Sequence, residues 1–235
     1  MRPQHDRTAA GAMTELAVVE ALESRNSTED AILAAARDAI TDEPYERVTI
    51  DGIARRAFVS RTTVYFYFPN KRAVVDRLIQ RVFSDMYEAA RPYVEGDGDP
   101  RVELRRALAR TVAVVNRDES VLKIAFVLSG GEDHLPQQWA PYIQRLVEAA
   151  SQRIARDQQS GRAPGDIPAR DAAQALMSMV ERHVTLEILN GGRPGHDSIR
   201  VLSELWWRAV YSHPEALLSD STIRANAASV NPGPR

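Results

Sequence analysis

The stretch that decides the fold runs Thr49-Ile-Asp-Gly-Ile-Ala-Arg-Arg-Ala-Phe-Val-Ser-Arg-Thr-Thr-Val-Tyr65 and continues as Phe-Tyr-Phe-Pro-Asn-Lys71. It reads as two short helices joined by a tight turn. Thr49 caps the first and Ser60 the second, each leaving a side-chain oxygen for an otherwise orphaned backbone N–H. Two short arms crossing steeply need a small residue at the crossing, which Ala54 supplies. They also need inward apolar groups, which are Ile50, Ile53, Val59 and Val64. Capped at Ser60, the second arm starts abruptly, so Arg61, Thr62 and Thr63 sit at its exposed N-terminal end, where base edges in a DNA groove would be read. Pro69 stops that arm.

Charge supports the same reading. Residues 47–81 hold Arg47, Arg55, Arg56, Arg61, Lys71, Arg72, Arg77 and Arg81 against Asp51 and Asp76, a local +6 in a chain of net charge -2. Concentrated positive charge is the footprint expected for phosphate contact. A solvated charged face explains many such runs, but here the charge coincides with the helix–turn–helix pattern. The four consecutive aromatics Tyr65, Phe66, Tyr67 and Phe68 cannot all be buried on one helix face, so some must point outward.

Residues 28–92 resemble the DNA-binding domain of the tetracycline-repressor (TetR) family of one-component regulators. The resemblance rests on the helix–turn–helix, the Tyr-Phe-Tyr-Phe run and Asn70-Lys71 at the start of a long connecting helix. It implies phosphate contacts from Tyr65, Tyr67 and Lys71, and major-groove contacts from Arg61, Thr63 and Phe66. With Thr49, Ser60 and Thr62 these make up the candidate DNA-facing set. It implies that Ile53, Ala54, Val64 and Phe68 hold the fold. Phe58 is a departure, because the family usually has Gly there.

The chain outward from this segment has 235 residues, a mass of 26.1 kDa, 30 Lys+Arg and 32 Asp+Glu. That is enough to bury a substantial core. No cysteine is present, which removes disulfides, thiolate metal sites and cysteine nucleophiles and fits a reducing compartment. No apolar run approaches a membrane span and no secretory signal is recognisable, so a cytoplasmic protein without a membrane partner is expected. Residues 1–27 and 213–235 read as polar tails, the first with one short amphipathic stretch over 13–24. Thr28 reads as the cap of the first helix. The remaining pattern is helical throughout, about nine helices in all, with no alternating strand. Pro92 to Pro100, with Gly96 and Gly98, reads as a linker. The expected architecture is therefore all-α, with an N-terminal helix–turn–helix domain over 28–92 and a C-terminal helical bundle over 100–212.

The C-terminal half is similar, more loosely, to the branch of the family typified by the mycobacterial repressor of an ethionamide-activating monooxygenase. Trp139, Ala175-Leu176 followed by Met179, Glu181 and Arg182, and Trp206 with Tyr211 carry that similarity. It implies that Trp139 and Trp206 line or approach a long apolar channel. Phe126, Tyr142, Ile143, Met177 and Val180 join them as candidate ligand-binding residues, each of which could equally be plain core. That branch has asparagines where this chain has Met177 and Val180, so a hydrogen-bonding anchor is lost and a weakly polar effector is expected. Leu176, Val184, Leu202, Leu205, Trp207 and Val210 on the last two helices exceed what one core face requires. A two-fold four-helix interface is the economical cover for them, and it suits a palindromic operator.

Catalysis and metal chemistry lack a constellation. His183 and Glu187 have ligand-compatible spacing on one helix, but no second ligand pair accompanies them. No zincin, di-iron or phosphate-loop motif occurs. The sequence therefore implies no enzyme, no cofactor and no metal. It points to a repressor bound to double-stranded operator DNA and released by an apolar small molecule. A ligand-independent DNA binder and a helical small-molecule carrier with an incidental basic patch remain as alternatives.

Overall fold

The structure is a computed structural model that describes residues 26–128, without the side chains of 126–128, and residues 140–212. The tails, the amphipathic stretch over 13–24, and Trp139 thus lie outside the described residues. Among the described residues there are nine helices and no strand: α1 (residues 26–42), α2 (Ile50–Arg56), α3 (Arg61–Tyr67), α4 (Lys71–Val94), α5 (Pro100–Arg117), α6 (Glu119–Leu128), α7 (Ala140–Gln159), α8 (Ala169–Leu189) and α9 (His196–Tyr211). The chain is already helical at Asn26, so Thr28 lies inside α1 and does not cap it.

Two apolar clusters organise these helices. The first gathers Ile32, Leu33 and Ala36 of α1, Ile53 and Ala54 of α2, Val64 of α3 and the N-terminal half of α4, from Val74 to Phe83, and it reaches Val121, Leu122 and Ala125 of α6. The second gathers Tyr87, Tyr93 and Val94 at the far end of α4 with Leu104 and Leu108 of α5, Val147 and Ile154 of α7, Leu176 of α8 and Leu202, Trp206 and Val210 of α9. Helix α4 belongs to both. Its inward residues recur at three and four positions (Val75, Leu78, Ile79, Val82, Phe83) over 24 residues, the spacing that lays one apolar stripe along a helix.

The expected linker is not a loose connection. Helix α4 continues through Pro92 to Val94, and α5 begins at Pro100 with Asp99 as its cap, the Oδ1 accepting from Val102 N at 2.9 Å. The corner between them is clamped by Arg153 of α7. Its Nη1 donates to the carbonyls of Tyr93 (2.8 Å) and Gly96 (2.7 Å), and its Nη2 to that of Gly98 (3.0 Å). The glycines serve close approach: a Cβ at Gly96 would stand 2.3 Å from the Pro92 carbonyl oxygen.

Candidate DNA interface and ligand cavity

The two arms of the head are capped as their sequence requires. Thr49 Oγ1 accepts from Gly52 N at 3.0 Å. Ser60 Oγ accepts from Thr63 N at 2.9 Å and lies 2.7 Å from Thr63 Oγ1. Asn70 Oδ1 accepts from Ala73 N at 2.9 Å and so starts α4. Thr49 and Ser60 therefore spend side-chain acceptors on their own helices. Val64 and Phe68 turn inward, while Tyr65 and Phe66 are exposed and Tyr67 is half-buried against the core. Of the four aromatics, the outward pair thus lies on the same arm as Arg61.

Arg61 is held in place by its neighbours. Its Nη2 donates to Tyr65 Oη at 3.3 Å, one turn on, and its Nη1 stands 3.5 Å from Asp51 Oδ2 on α2. These partners raise its already high pKa, the hydrogen bond to Tyr65 first and the Asp51 charge second. Lys71 folds back: Nζ donates to the Tyr45 carbonyl at 2.8 Å and sits 4.1 Å above the Tyr45 ring. Phe58 occupies the left-handed region at φ 56° with its ring 95% exposed. The turn keeps the backbone that a Gly would adopt freely, and a β-carbon there is strained.

The local charge is smaller in space than in sequence. Arg56 pairs with Asp42 at 2.6 Å, Arg72 with Asp76 at 2.9 Å, Arg77 with Glu29 at 2.8 Å and Arg81 with Asp30 at 2.5 Å. Asp42, Glu29 and Asp30 all come from α1, outside the basic stretch. Of the remaining basic residues Arg47, Arg55 and Arg61 are exposed, whereas Lys71 is half-buried on Tyr45.

Behind the head, an internal cavity of about 120 Å3 lies between α4, α5, α6, α7, α8 and α9. Of the candidate ligand residues, Ile143, Met177, Val180 and Trp206 line it together. Tyr142 does not; its ring stacks on Phe83, a lining residue, at 5.6 Å between centroids. Trp139 and the side chain of Phe126 are outside the described residues. Sequence reasoning missed Phe83, Met86 and Tyr93 of α4, Leu104 and Leu108 of α5, and three polar residues, Thr111, Glu181 and Thr185.

One wall of the cavity is wired to the clamped corner. Indole Nε1 of Trp206 can only donate, and it donates to Tyr93 Oη at 3.1 Å. Tyr93 Oη lies 3.2 Å from Tyr211 Oη, and Tyr211 donates to Asp157 Oδ2 at 2.8 Å. The proton order along this chain is thereby fixed, each hydroxyl accepting once and passing its own hydrogen on. Asp157 Oδ2 accepts from Arg153 Nε at 2.7 Å, both side chains having no exposed surface, and its Oδ1 forms an ion pair with Arg162 Nη2 at 2.9 Å. Burial pushes the Tyr93 phenol up to about 12 and drives that of Tyr211 the same way.

The candidate interface needs correction. Leu176, Leu202 and Val210 are 8%, 2% and 4% exposed within the subunit, and Val184 lines the cavity. Their periodic apolar pattern is used up by the second cluster. Leu205 is 47% exposed and Trp207 half-buried, and the outward apolar groups of α8 and α9 are Leu186, Leu189, Val201 and Leu205. His183 Nε2 stands 3.7 Å from Glu187, whose carboxylate accepts from Ser198 Oγ. Among the described residues no group of three or more His, Asp or Glu side chains could hold a metal ion. Among them also no helix is long and apolar enough to cross a membrane.

A capped helix–turn–helix carried on a helix that also walls an internal cavity defines a DNA-binding regulator. Comparison with known proteins agrees. The family of bacterial regulatory proteins of the tetR type matches residues 32–78, and the C-terminal domain of the transcriptional regulator EthR matches residues 104–212. The chain belongs to the tetR family, with a C-terminal half of the EthR kind. It is 28% identical over 193 residues to the HTH-type transcriptional regulator EthR of Mycobacterium tuberculosis, covering 80% of this chain and 89% of that one. In fold it is similar to a TetR-family regulator of Mesorhizobium loti (TM-score 0.64, 17% identity, 80% of this chain and 98% of that one). It is also similar to SmeT, the repressor of the Stenotrophomonas maltophilia multidrug efflux pump SmeDEF (TM-score 0.62, 17% identity, 82% and 98%), which is solved with triclosan as well.

Proposed function

We propose that this regulator is a homodimeric repressor that leaves a palindromic operator when a small molecule with an apolar body enters the cavity. The carrying observation is that α4 serves both halves: its N-terminal part packs on α1 to α3, and its Phe83, Met86 and Tyr93 line the cavity. A ligand that alters the position of α4 alters the spacing of two α3 helices on successive major grooves. It does so only if it binds the two arrangements unequally.

In this reading residues 28–92 read DNA, and residues 100–212 sense the effector and pair the subunits. Lys71, Tyr65 and Tyr67 hold phosphates, while Arg61, Thr62, Thr63 and Phe66 meet base edges. Lys71 must exchange the Tyr45 carbonyl for a phosphate oxygen. The outward residues Leu186, Leu189, Val201 and Leu205 form the face between subunits, with Trp207 at its side. The occurrence of a bound triclosan in SmeT supports a cavity ligand of this apolar kind.

The test is a titration of the operator selected from genomic DNA, followed by fluorescence anisotropy while candidate effectors are added. Release at the concentrations that change the fluorescence of Trp206 supports the proposal. Tight DNA binding that no cavity ligand reverses leaves the regulator without its sensor. Sedimentation of Leu205→Asp, expected to shift toward monomer, checks the pairing.

A further inference from the structure

A chain of alternating charges crosses from the head to the body. Arg37 of α1 brings Nε to 2.5 Å from Asp118 Oδ1, and the Asp118 carboxylate has no exposed surface. Asp118 Oδ2 pairs with Arg117 Nη2 at 2.6 Å, and the same Nη2 reaches Asp85 Oδ2 of α4 at 2.5 Å. Asp118 is the single residue between α5 and α6. Its N–H donates to the Val114 carbonyl at 3.0 Å and its own carbonyl accepts from Leu122 N at 3.0 Å. It thus ends one helix and starts the next.

The same corner is held from its other side. Asn116 Nδ2 donates to the Pro194 carbonyl at 2.8 Å, and Glu119 Oε2 accepts from Arg193 Nε at 3.0 Å. Arg193 and Pro194 lie between α8 and α9, the helices assigned to the subunit face. Polar contacts of defined direction therefore lead from that face, through the α5–α6 corner, to α1 of the head. Val121 and Ala125 of α6 also pack on the head cluster, but apolar attraction is non-directional and does not fix an angle. A buried ion pair adds little net stability over apolar groups of the same shape, and its best-attested use is to fix register.

We propose that Arg37 and Asp118 are positioning residues for DNA recognition. They set the angle of the head on the body, and with it the separation at which two α3 helices meet the half-sites of an operator. This rests on reading the protein as a dimer on a palindromic operator. One base pair inserted between half-sites turns the second by about 35° and moves it by about 3.4 Å. A head held at one angle rejects that change. A head free to swing accepts it, and loses the advantage of preorganisation on the natural spacing.

The experiment uses the full chain and four duplexes: the operator selected from genomic DNA, that operator with one base pair added or removed at its centre, and a single half-site. Fluorescence anisotropy gives the affinities, and urea unfolding checks that each variant is folded. The wild type is expected to bind the altered spacings at least about tenfold more weakly than the natural one. In Arg37→Met and in Asp118→Asn that preference should fall to about threefold or less, with half-site affinity within about twofold of wild type. The double variant should be no worse than either single one, because both remove the same tie. Arg37→Gln, which loses the charge and keeps a polar end, should behave as Arg37→Met and provides the test should that variant fold poorly. Full spacing preference in any folded variant overturns the proposal. A loss of half-site affinity equal to the loss on the operator overturns it too, since the pair then only supports the fold of the head. A wild type indifferent to spacing, or no tighter on the operator than on one half-site, removes the palindrome reading itself, and the proposal with it.

Discussion

The head and the body behind it are both helical and both apolar inside, yet they are held in different ways. In the head, the caps that start its helices are short in sequence, Thr49 to Gly52, Ser60 to Thr63 and Asn70 to Ala73 each spanning three residues, and its longer links, such as Arg77 to Glu29 and Arg81 to Asp30, are partly exposed surface pairs. In the body, they are long. Arg153 reaches the Tyr93 carbonyl 60 residues away, and Trp206 reaches Tyr93 Oη 113 residues away. The head is therefore a set of locally specified turns on an apolar plug. The body is closed by one buried polar network that ties α4, α7 and α9 together beside the cavity. Ligand and fold stability should couple in the body and stay separate from base reading in the head.

The largest expected effect tests that difference. Arg153→Met leaves Asp157 with only Arg162 as a cationic partner and three corner carbonyls without their donor. Breaking a buried pair by removing one partner costs about 3–5 kcal/mol. Urea unfolding should show that loss. Arg56→Ala, which removes a pair whose side chains are 38% and 58% exposed, should cost less than about 1 kcal/mol. Equal losses would mean that the corner clamp adds nothing beyond a surface pair.

The same difference explains what the sequence discloses. Residues 49–71 declare their caps, crossing and turn because every signal lies within a few positions of its partner. The periodicity of α8 and α9 gives their apolar stripes equally well, but periodicity does not say what covers a stripe. Leu176, Leu202 and Val210 are covered by the subunit's own core, and Leu205 is not. Pro92, Gly96 and Gly98 have the composition of a linker, and only Arg153, more than 50 residues on, turns it into a fixed corner.

A second prediction concerns alkaline pH. Burial raises the Tyr93 phenol to about 12, against about 10 in an unfolded chain. The folded pKa is the higher one, so this contribution is fully present below pH 10 and is lost as pH rises toward 12. The slope is about 1.4 kcal/mol per pH unit for each such group. Tyr211 shifts in the same direction and steepens the loss. Denaturation midpoints should fall sharply above pH 10, and Tyr93→Phe should flatten that fall. An unchanged alkaline limb in Tyr93→Phe would place the sensitivity elsewhere.

Third, the head should lose recognition without losing stability. Arg61→Ala is expected to cost roughly 1–3 kcal/mol of operator binding and to relax preference at one base position. Its side chain is 61% exposed, so the melting temperature should hardly move. Lys71→Ala should weaken all DNA alike and lower the log–log salt slope by about one unit. A Lys71→Ala protein with the wild-type slope would remove that residue from the phosphate contacts.

The smallest expected effect separates the two roles that meet at Ser60. Its Oγ satisfies the Thr63 N–H and also lies against Thr63 Oγ1, at the end of α3 assigned to the DNA. Ser60→Ala removes the cap and should cost about 1 kcal/mol of stability. Ser60→Asp offers another good capping oxygen, with a negative charge that suits a helix N-terminus. On stability alone, Asp should therefore equal Ser and exceed Ala. On DNA affinity the order changes, because a carboxylate beside the phosphate backbone is repelled whereas a methyl group is merely silent. Ser60→Asp should thus fold as well as the wild type and bind operator less well than Ser60→Ala, with the gap closing as salt screens the charge. If Ser60→Asp binds as well as the wild type at low salt, the N-terminal end of α3 does not approach phosphate, and the docking of the head must be turned the other way.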